Sequence, residues 1–471
     1  MNLAIIISYI LIVTAIGFFF SGKNESKKDY FLSGKNAGWG LMGISIMVTA
    51  FSTLNFVAVT AEVFSFGLFV LLSVPMFFLI YFPVSRWFFP FYRDLPITSA
   101  YQYLEIRFDR KVRISASAMF IVWKMIWMSV SLYAAGAALS AVSGISVNTV
   151  ILVAGITSII YTVNGGMKAV MITDMLQFIV LFSGVCLILA VSYFSFEGGI
   201  GEIFSLAYSS GSLKPFAPFD TQILSPHWGV RISVWSTILG TGIAFLARYG
   251  VDQVVVQRYL SAKNPSDIKK GFLLNAFAAV SVIILIAIFG LFVKAYGVKN
   301  GFALPPLKTL ALFMNSLPPG LAGLLSAGLL AAMMSSIDSG INSCSAAFFT
   351  DIYPSFSKKR VKFSLNKAKI ISAIIGVVSL FFAFPVPLLG SLFQTVNKVV
   401  NGMGAPLLAL FVAGMTLKKV SAKSALCGFI TGVFSSIFVI AFIENVSLHY
   451  YAVINFLLTF LFIAVFNKLI N

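Results

Sequence analysis

The chain holds 471 residues, 59% of them apolar and only 10% charged, with a formal net charge of +18. A soluble globule of this size would have too little polar surface to cover its core, so lipid must solvate most of the molecule. Runs of about 18 or more apolar residues recur, the length that crosses roughly 30 Å of hydrocarbon as a helix. Strands of a membrane barrel alternate and are half as long, which excludes a barrel. The class is therefore all-α and polytopic.

The apolar runs predict thirteen helices, near residues 3–20, 39–64, 67–85, 113–141, 147–163, 167–194, 230–260, 271–295, 318–350, 369–385, 387–416, 424–443 and 447–467. The first has no basic residue before it and no small-residue cleavage site, and reads as a retained span and not a signal peptide. No separate soluble domain is expected: the connection 195–229 is rich in Gly and Pro and caps one face, and the basic stretch after Tyr353 is a solvated loop.

Assigning alternate connections to opposite sides puts 26 of the 33 Lys and Arg on one side. The other side holds 5, namely Lys214, Arg231, Lys294, Lys299 and Lys308, and Lys124 and Lys398 stay within spans. By the positive-inside rule the N-terminus lies outside and the C-terminus in the cytoplasm. Because the basic residues sit beside hydrophobic ends, the net charge reports membrane orientation and not nucleic-acid binding.

Ionisable groups within hydrocarbon cost roughly 2.5–3.5 kcal/mol on insertion scales, so each points to a cavity, an ion or a partner. Glu62, Lys124, Asp174, Asp252, Asp338 and Lys398 fall inside or at the edge of spans. In the second span Ser45, Thr49, Ser52, Thr53 and Asn55 cluster midway. Either a local break there frees carbonyls to face a cation, or the hydroxyls bond back within a continuous helix. Asp174 lies about two turns into the sixth span, a depth that suits a second cation or an exit path; snorkelling to the surface is the other reading, and Lys168 is on the wrong face to pair with it. The seventh span is interrupted near Arg248-Tyr249-Gly250-Val251-Asp252-Gln253, or else ends at Arg248.

Residues 330–345 carry the strongest signal. Ser335, Ser336, Asp338, Ser339, Asn342 and Ser343 stack oxygens on one helix face at spacings of 3 and 4. Hydroxyls, carbonyls and a carboxylate are what a hard cation wants. A helix–helix interface glued by small residues would explain the serines but leaves Asp338 without a partner. Cys186, Cys344 and Cys427 are packing residues without metal-ligand spacing, and His227 and His449 do not form a catalytic or zinc set.

Several segments, in this order, resemble the sodium:solute symporter family over nearly the whole chain. They are Asp29-Tyr30-Phe31-Leu32-Ser33-Gly34-Lys35, Ala61-Glu62-Val63-Phe64-Ser65-Phe66-Gly67, Gly165-Gly166-Met167-Lys168-Ala169-Val170 with Thr173-Asp174, Asp252-Gln253 with Gln257-Arg258-Tyr259-Leu260, and Ser335 to Ser343 with Asp351-Ile352-Tyr353. The resemblance implies a LeuT-type fold of two inverted five-helix repeats, 39–194 and 230–416, with helix 3–20 before them and two helices over 424–467 after, in one transporter domain. It implies sodium-coupled import by alternating access across a bacterial inner membrane. Na+ would be the co-transported ion, a small polar solute such as a sugar, sialic acid or monocarboxylate the cargo, and membrane lipid the surroundings, with no obligatory protein partner.

By position in the motifs, Val48, Phe51 and Ala332 carbonyls with Ser335 and Ser336 hydroxyls would form the main sodium site, and Asp174, Asp338 and Ser339 match a second sodium site of some members. Asp338 departs from members that carry a small or hydroxyl residue there. Ser52, Thr53, Asn55, Val74, Trp127, Asp252 and Gln253 would line the solute pocket. Trp127 stands where sialic acid carriers have a carboxylate-gripping arginine, and Val74 where sugar carriers have a carboxylate, so neither substrate transfers simply. Lys124, one turn before Trp127, serves either as an anion clamp or in a snorkelling or buried-pair role. Of the rival classes, a proton-coupled carrier of the same fold remains the alternative. A channel lacks a continuous polar path, no signalling domain is expected for a sensor, and no nucleophile, base and orienter set supports an enzyme.

Overall fold

The computed structural model describes residues 2–21, 26–93, 95, 97–194, 196–318, 320–356, 363–389, 398–399 and 402–470. Helix α1 covers Asn2–Phe19, and the short α2, Lys27–Leu32, is started by a reciprocal cap in which Asp29 N–H donates to Ser26 Oγ (3.2 Å) and Ser26 N–H to Asp29 Oδ2 (3.0 Å). Then come α3 (Trp39–Ala50) and α4 (Thr53–Phe66), bent by 58°. Phe51 and Ser52 at the join are extended (φ −120°, ψ 99° and φ −101°, ψ 173°). Asn55 Oδ1 accepts from Ser52 N–H at 3.2 Å and caps the second half. The polar cluster of the second predicted span thus makes a real break, and the continuous helix is ruled out.

Helix α5 spans Leu68–Tyr92, α6 Arg110–Ser143 and α7 Val147–Tyr193. Forty-seven residues of straight helix in α7 would run about 70 Å, more than twice the hydrocarbon thickness. Gly166 divides it, at φ 64° and ψ −171°, a backbone conformation that needs glycine. Helix α8 covers 234–251 with two wide π turns, Thr237–Thr241 and Ala247–Val251, and α9 covers Gln253–Leu260. The seventh span therefore does not end at Arg248. It breaks at the single residue Asp252 (φ −70°, ψ 118°), whose Oδ1 accepts from Val254 N–H at 2.9 Å to start α9.

Helix α10 is Pro265–Lys299, α11 Leu321–Phe356, α12 Leu365–Phe381, α13 Gly402–Thr416, α14 Ala422–Phe442 and α15 Tyr450–Ile470. The predicted helix 387–416 lies partly outside the described residues. Among the described residues eight helices are long and apolar enough to cross a membrane, nine if the bent pair α3–α4 counts as one more. No strand is formed among them, only isolated bridges such as Ala37 to Ala262. The core runs along α11, whose residues Ser335–Ala347 are all buried, against α3, α6, α7, α1 and α12. The far ends of the two broken helices are tied together, since Arg231 just before α8 donates to both carboxylate oxygens of Glu62 on α4, at 3.0 and 2.8 Å.

Helices α3 and α10 cross in backbone contact, and a Cβ placed on Gly43 would meet Gly271 O at 2.5 Å. Gly43→Val is therefore expected to cost at least about 1–3 kcal/mol. It should lower the midpoint of thermal unfolding in detergent, while Gly40→Ala, with open space around its Cβ, leaves the midpoint unchanged.

Candidate functional site

The break after α3 leaves Val48 O without a helical continuation. Phe51 N–H reaches it at 3.2 Å, and Ser335 Oγ on α11 lies 3.2 Å from it. The same Ser335 hydroxyl lies 2.8 Å from Ala332 O, and Ser336 Oγ 3.4 Å from that carbonyl. Val48, Ala332, Ser335 and Ser336 are all buried, and Phe51, also buried, forms the break itself. These backbone and hydroxyl oxygens from two elements offer partial negative charge without a carboxylate. Such a set suits a monovalent hard cation, because it supplies ligands without burying a full negative charge.

One turn further along α11 the geometry differs. Arg258 on α9, with no exposed surface, donates from Nη2 to Asp174 Oδ2 (3.0 Å) and Ser339 Oγ (2.6 Å), from Nε to Ser45 Oγ (2.7 Å) and from Nη1 to Val254 O (2.8 Å). Ser45 Oγ donates to Asp174 Oδ2 at 2.5 Å, and Thr49 and Ser339 hydroxyls are 2.9 Å apart. Asp338 accepts from Tyr161 OH at 2.7 Å and from Ser339 N–H at 2.6 Å. The structure thus places Asp174 and Ser339 on one guanidinium, with Asp338 beside them bonded to Tyr161 and the Ser339 N–H. The charge count from sequence puts Arg258 among the 26 basic residues of the cytoplasmic side; the clue to its burial is that a buried Asp174 needs a cationic neighbour.

Breaking a buried ion pair from one side strands the other charge and costs about 3–5 kcal/mol, whereas removing both partners is often close to neutral. Arg258→Met is expected to lower the unfolding midpoint in detergent strongly, and Arg258→Met combined with Asp174→Leu to recover most of the loss. A double variant no better than the single one would contradict the pairing.

Beside the break lies a cavity. Its walls come from α3 and α4 (Met47, Ala50, Phe51, Asn55, Val59), α5 (Val70, Ser73, Phe77), α8 (Thr241, Ala244, Phe245, Arg248, Tyr249), α10 (Ala279, Ile283) and His449. A smaller one shares Ala50 and Arg248 with it and adds Thr49, Trp123, Lys124, Trp127, Asp252, Val254 and Val255. Lys124 Nζ lies 2.6 Å from Asp252 Oδ2, both side chains nearly buried, and 4.8 and 5.8 Å from the ring centroids of Trp123 and Trp127. The buried-pair role is therefore the one Lys124 fills.

Of the seven residues expected around the solute, Asn55 lines the larger cavity and Trp127 and Asp252 the smaller. Ser52 is a buried cap, and Thr53 Oγ1 donates to Leu329 O. Gln253 accepts from Ala100 N–H (2.8 Å) and donates to Thr98 O (3.3 Å). Val74, half-buried, is not among the wall residues, although its neighbours Val70, Ser73 and Phe77 are. Arg248 and His449 are wall residues that the sequence reading did not place there.

A model of the sodium:solute symporter family matches residues 30–432. The sodium/sialic acid symporter NanT of Aliivibrio fischeri is 29% identical over 451 residues, covering 92% of this chain and 86% of its own. Sodium-coupled monocarboxylate transporter 2 of Bos taurus is 28% identical over 442 residues, covering 91% and 70%. The solved substrate-bound, outward-open structure of a Na+-coupled sialic acid symporter aligns with a TM-score of 0.89 at 27% identity, covering 99% of this chain and 98% of that one. A nucleobase-cation-symport-1 family transporter aligns at 0.57 with 13% identity over 94% and 96%, a likeness of fold alone. The chain belongs to the sodium:solute symporter family, and is a membrane transporter that moves a solute together with Na+ and not an enzyme.

Proposed function

We propose that the transported sodium ion binds where α3 breaks beside α11, held by carbonyls of Val48, Phe51 and Ala332 and hydroxyls of Ser335 and Ser336. The observation that carries this reading is Ser335 Oγ standing between Val48 O and Ala332 O, so that one hydroxyl already joins the two elements. A hydroxyl that donates to a carbonyl keeps its lone pairs for a cation, and an ion bound there pulls the break of α3–α4 against α11. The cavity that holds the solute shares Phe51 and Asn55 with that break. Ion and solute therefore each favour the same arrangement of one hinge, which is how binding energies become coupled.

In this reading 39–194 and 230–416 are inverted repeats, each opening with a broken helix, α3–α4 and α8–α9, within thirteen spans, and helices 3–20 and 424–467 flank them in a single transporter domain. The N-terminus faces outward and the C-terminus the cytoplasm of a bacterial cell, and the repeats rock about the site in alternating access. The cargo is a small polar solute of the sugar, sialic acid or monocarboxylate kind. A second sodium at Asp174, Asp338 and Ser339 is not needed, because Arg258 supplies a fixed cation at Asp174 and Ser339. One sodium moved down 100 mV releases about 2.3 kcal/mol, enough to concentrate a neutral solute more than tenfold at about 1.4 kcal/mol per factor of ten.

Sodium should raise the unfolding midpoint of the purified protein over choline at constant ionic strength. Ser336→Ala removes one ligand and should shift that response to about tenfold higher sodium, the equivalent of about 1.4 kcal/mol, while the protein still inserts in the membrane. A normal sodium response in this variant would count against the assigned site.

A further inference from the structure

We propose that His449, carried by the connection between α14 and α15, is a solute-binding residue of the cavity beside the α3–α4 break. The inference rests on that cavity being the solute site. On the repeat scheme the helices over 424–467 have no part in it. Yet His449 stands in the cavity wall together with residues of α3, α4, α5, α8 and α10.

The path of the chain shows how it gets there. Ser447 N–H donates to Trp228 O at 2.6 Å, Leu448 N–H to Arg231 O at 3.3 Å and Ser447 Oγ to Arg231 O at 2.9 Å, which pins the connection to the residues leading into α8. Tyr451 OH donates to Ile443 O at 2.7 Å and closes the turn from the other side. The chain at His449 then packs into the first π turn of α8, Thr237–Thr241, at Gly240. A Cβ on Gly240 would overlap His449 O and lie 2.6 Å from His449 Cβ, so the connection takes the space of a side chain. Ser447, Leu448 and Tyr451 are buried, whereas His449 between them keeps part of its surface, and the space it lines is the cavity.

Hydrogen bonding separates a binding role from packing. The His449 ring makes no hydrogen bond to a described residue. Thr241 Oγ1, buried in the same wall one residue beyond Gly240, makes none either. Other polar wall groups are already engaged, since Asn55 Oδ1 accepts from Ser52 N–H at 3.2 Å and Ser73 Oγ donates to Val70 O at 2.7 Å. A polar group left unmet at this depth costs about 1–3 kcal/mol, so the contents of the cavity must meet it. Water does so in the empty site, and a solute that displaces the water keeps its affinity only by reproducing those hydrogen bonds. A neutral imidazole offers one donor and one acceptor. The solute therefore turns a hydrogen-bonding group toward His449 and Thr241, and a solute without one is discriminated against.

The test uses the purified full chain and begins without a solute. The variants His449→Cys, Glu444→Cys and Leu448→Cys are treated with the charged thiol reagent 2-(trimethylammonium)ethyl methanethiosulfonate, over the background of Cys186, Cys344 and Cys427 in the wild-type chain. Glu444 is exposed and Leu448 buried. The Glu444→Cys thiol should react fastest, the His449→Cys thiol several-fold more slowly but to completion, and the Leu448→Cys thiol not at all. A thiol at position 449 as fast as the one at 444, or as inert as the one at 448, would put the side chain outside the cavity and overturn the proposal. Uptake into proteoliposomes under a sodium gradient then uses radiolabelled N-acetylneuraminate, pyruvate and glucose as probes. For a probe that the wild type carries, His449→Leu, which keeps bulk without hydrogen bonds, should raise the half-saturating concentration about tenfold. His449→Gln restores a donor and an acceptor and should recover most of that loss, and both variants should keep the wild-type sodium dependence of thermal stabilisation. Unchanged half-saturation in His449→Leu, or an equal loss in both variants, would overturn the proposal and leave the sodium site standing. The labelling comparison decides the placement even where none of the three probes is carried. Absence of sodium stabilisation in the wild type would instead overturn the reading on which the proposal rests.

Discussion

A backbone carbonyl at membrane depth has no water to turn to, and leaving one unsatisfied costs several kcal/mol. At the break between α3 and α4, Val48 O keeps only the Phe51 N–H of its own chain segment, and Ser335 of α11 adds a hydroxyl 3.2 Å away. The architecture around the site follows from that contact. Helix α11 must lie buried along its polar stretch to reach α3, and α10 must press against α3 closely enough to bring Gly43 and Gly271 into backbone contact. In the proposed sodium site, a cation that replaced the serine hydrogen bond would meet oxygens already brought together, and preorganised binding spares the ordering cost.

The same economy governs the buried charges. Glu62 is matched by Arg231, Asp174 by Arg258 and Asp252 by Lys124, each pair linking elements far apart in sequence. Asp338 has no cation within hydrogen-bonding reach among the described residues; Tyr161 OH and the Ser339 N–H serve its two oxygens instead. Lys398 lies 5.3 Å from the Tyr451 ring centroid. Pairs that are individually near neutral in energy still fix register, and here they lock α4 to the start of α8, α7 to α9, and α6 to the α8–α9 break. Arg248 lines both cavities beside the Lys124–Asp252 pair.

Much of the fold was legible because lipid simplifies the code: apolar runs mark spans, and polar residues inside them mark breaks or sites. Thr49, Ser52, Thr53 and Asn55 marked where a break could fall but fitted hydroxyls bonding back within a continuous helix equally well, and the hydroxyl ladder 335–343 marked a polar helix face. The seventh span was harder. Two π turns carry α8 past Arg248 to Val251, so a helix that looks finished in sequence continues to Asp252. Arg258 was misread because a cation beside a short apolar stretch looks the same whether it faces headgroups or a carboxylate 84 positions away. Thr53 and Gln253 show the converse limit, as polar groups near a site that spend their hydrogen bonds on Leu329, Ala100 and Thr98.

The most direct test of the ion cage is equilibrium binding of radioactive sodium to the purified protein at constant ionic strength. The account predicts saturable binding of about one ion per chain that excess potassium or choline does not displace, as a dehydrated cation held by carbonyl and hydroxyl oxygens requires. Absence of saturable binding, or equal displacement by potassium, would contradict it.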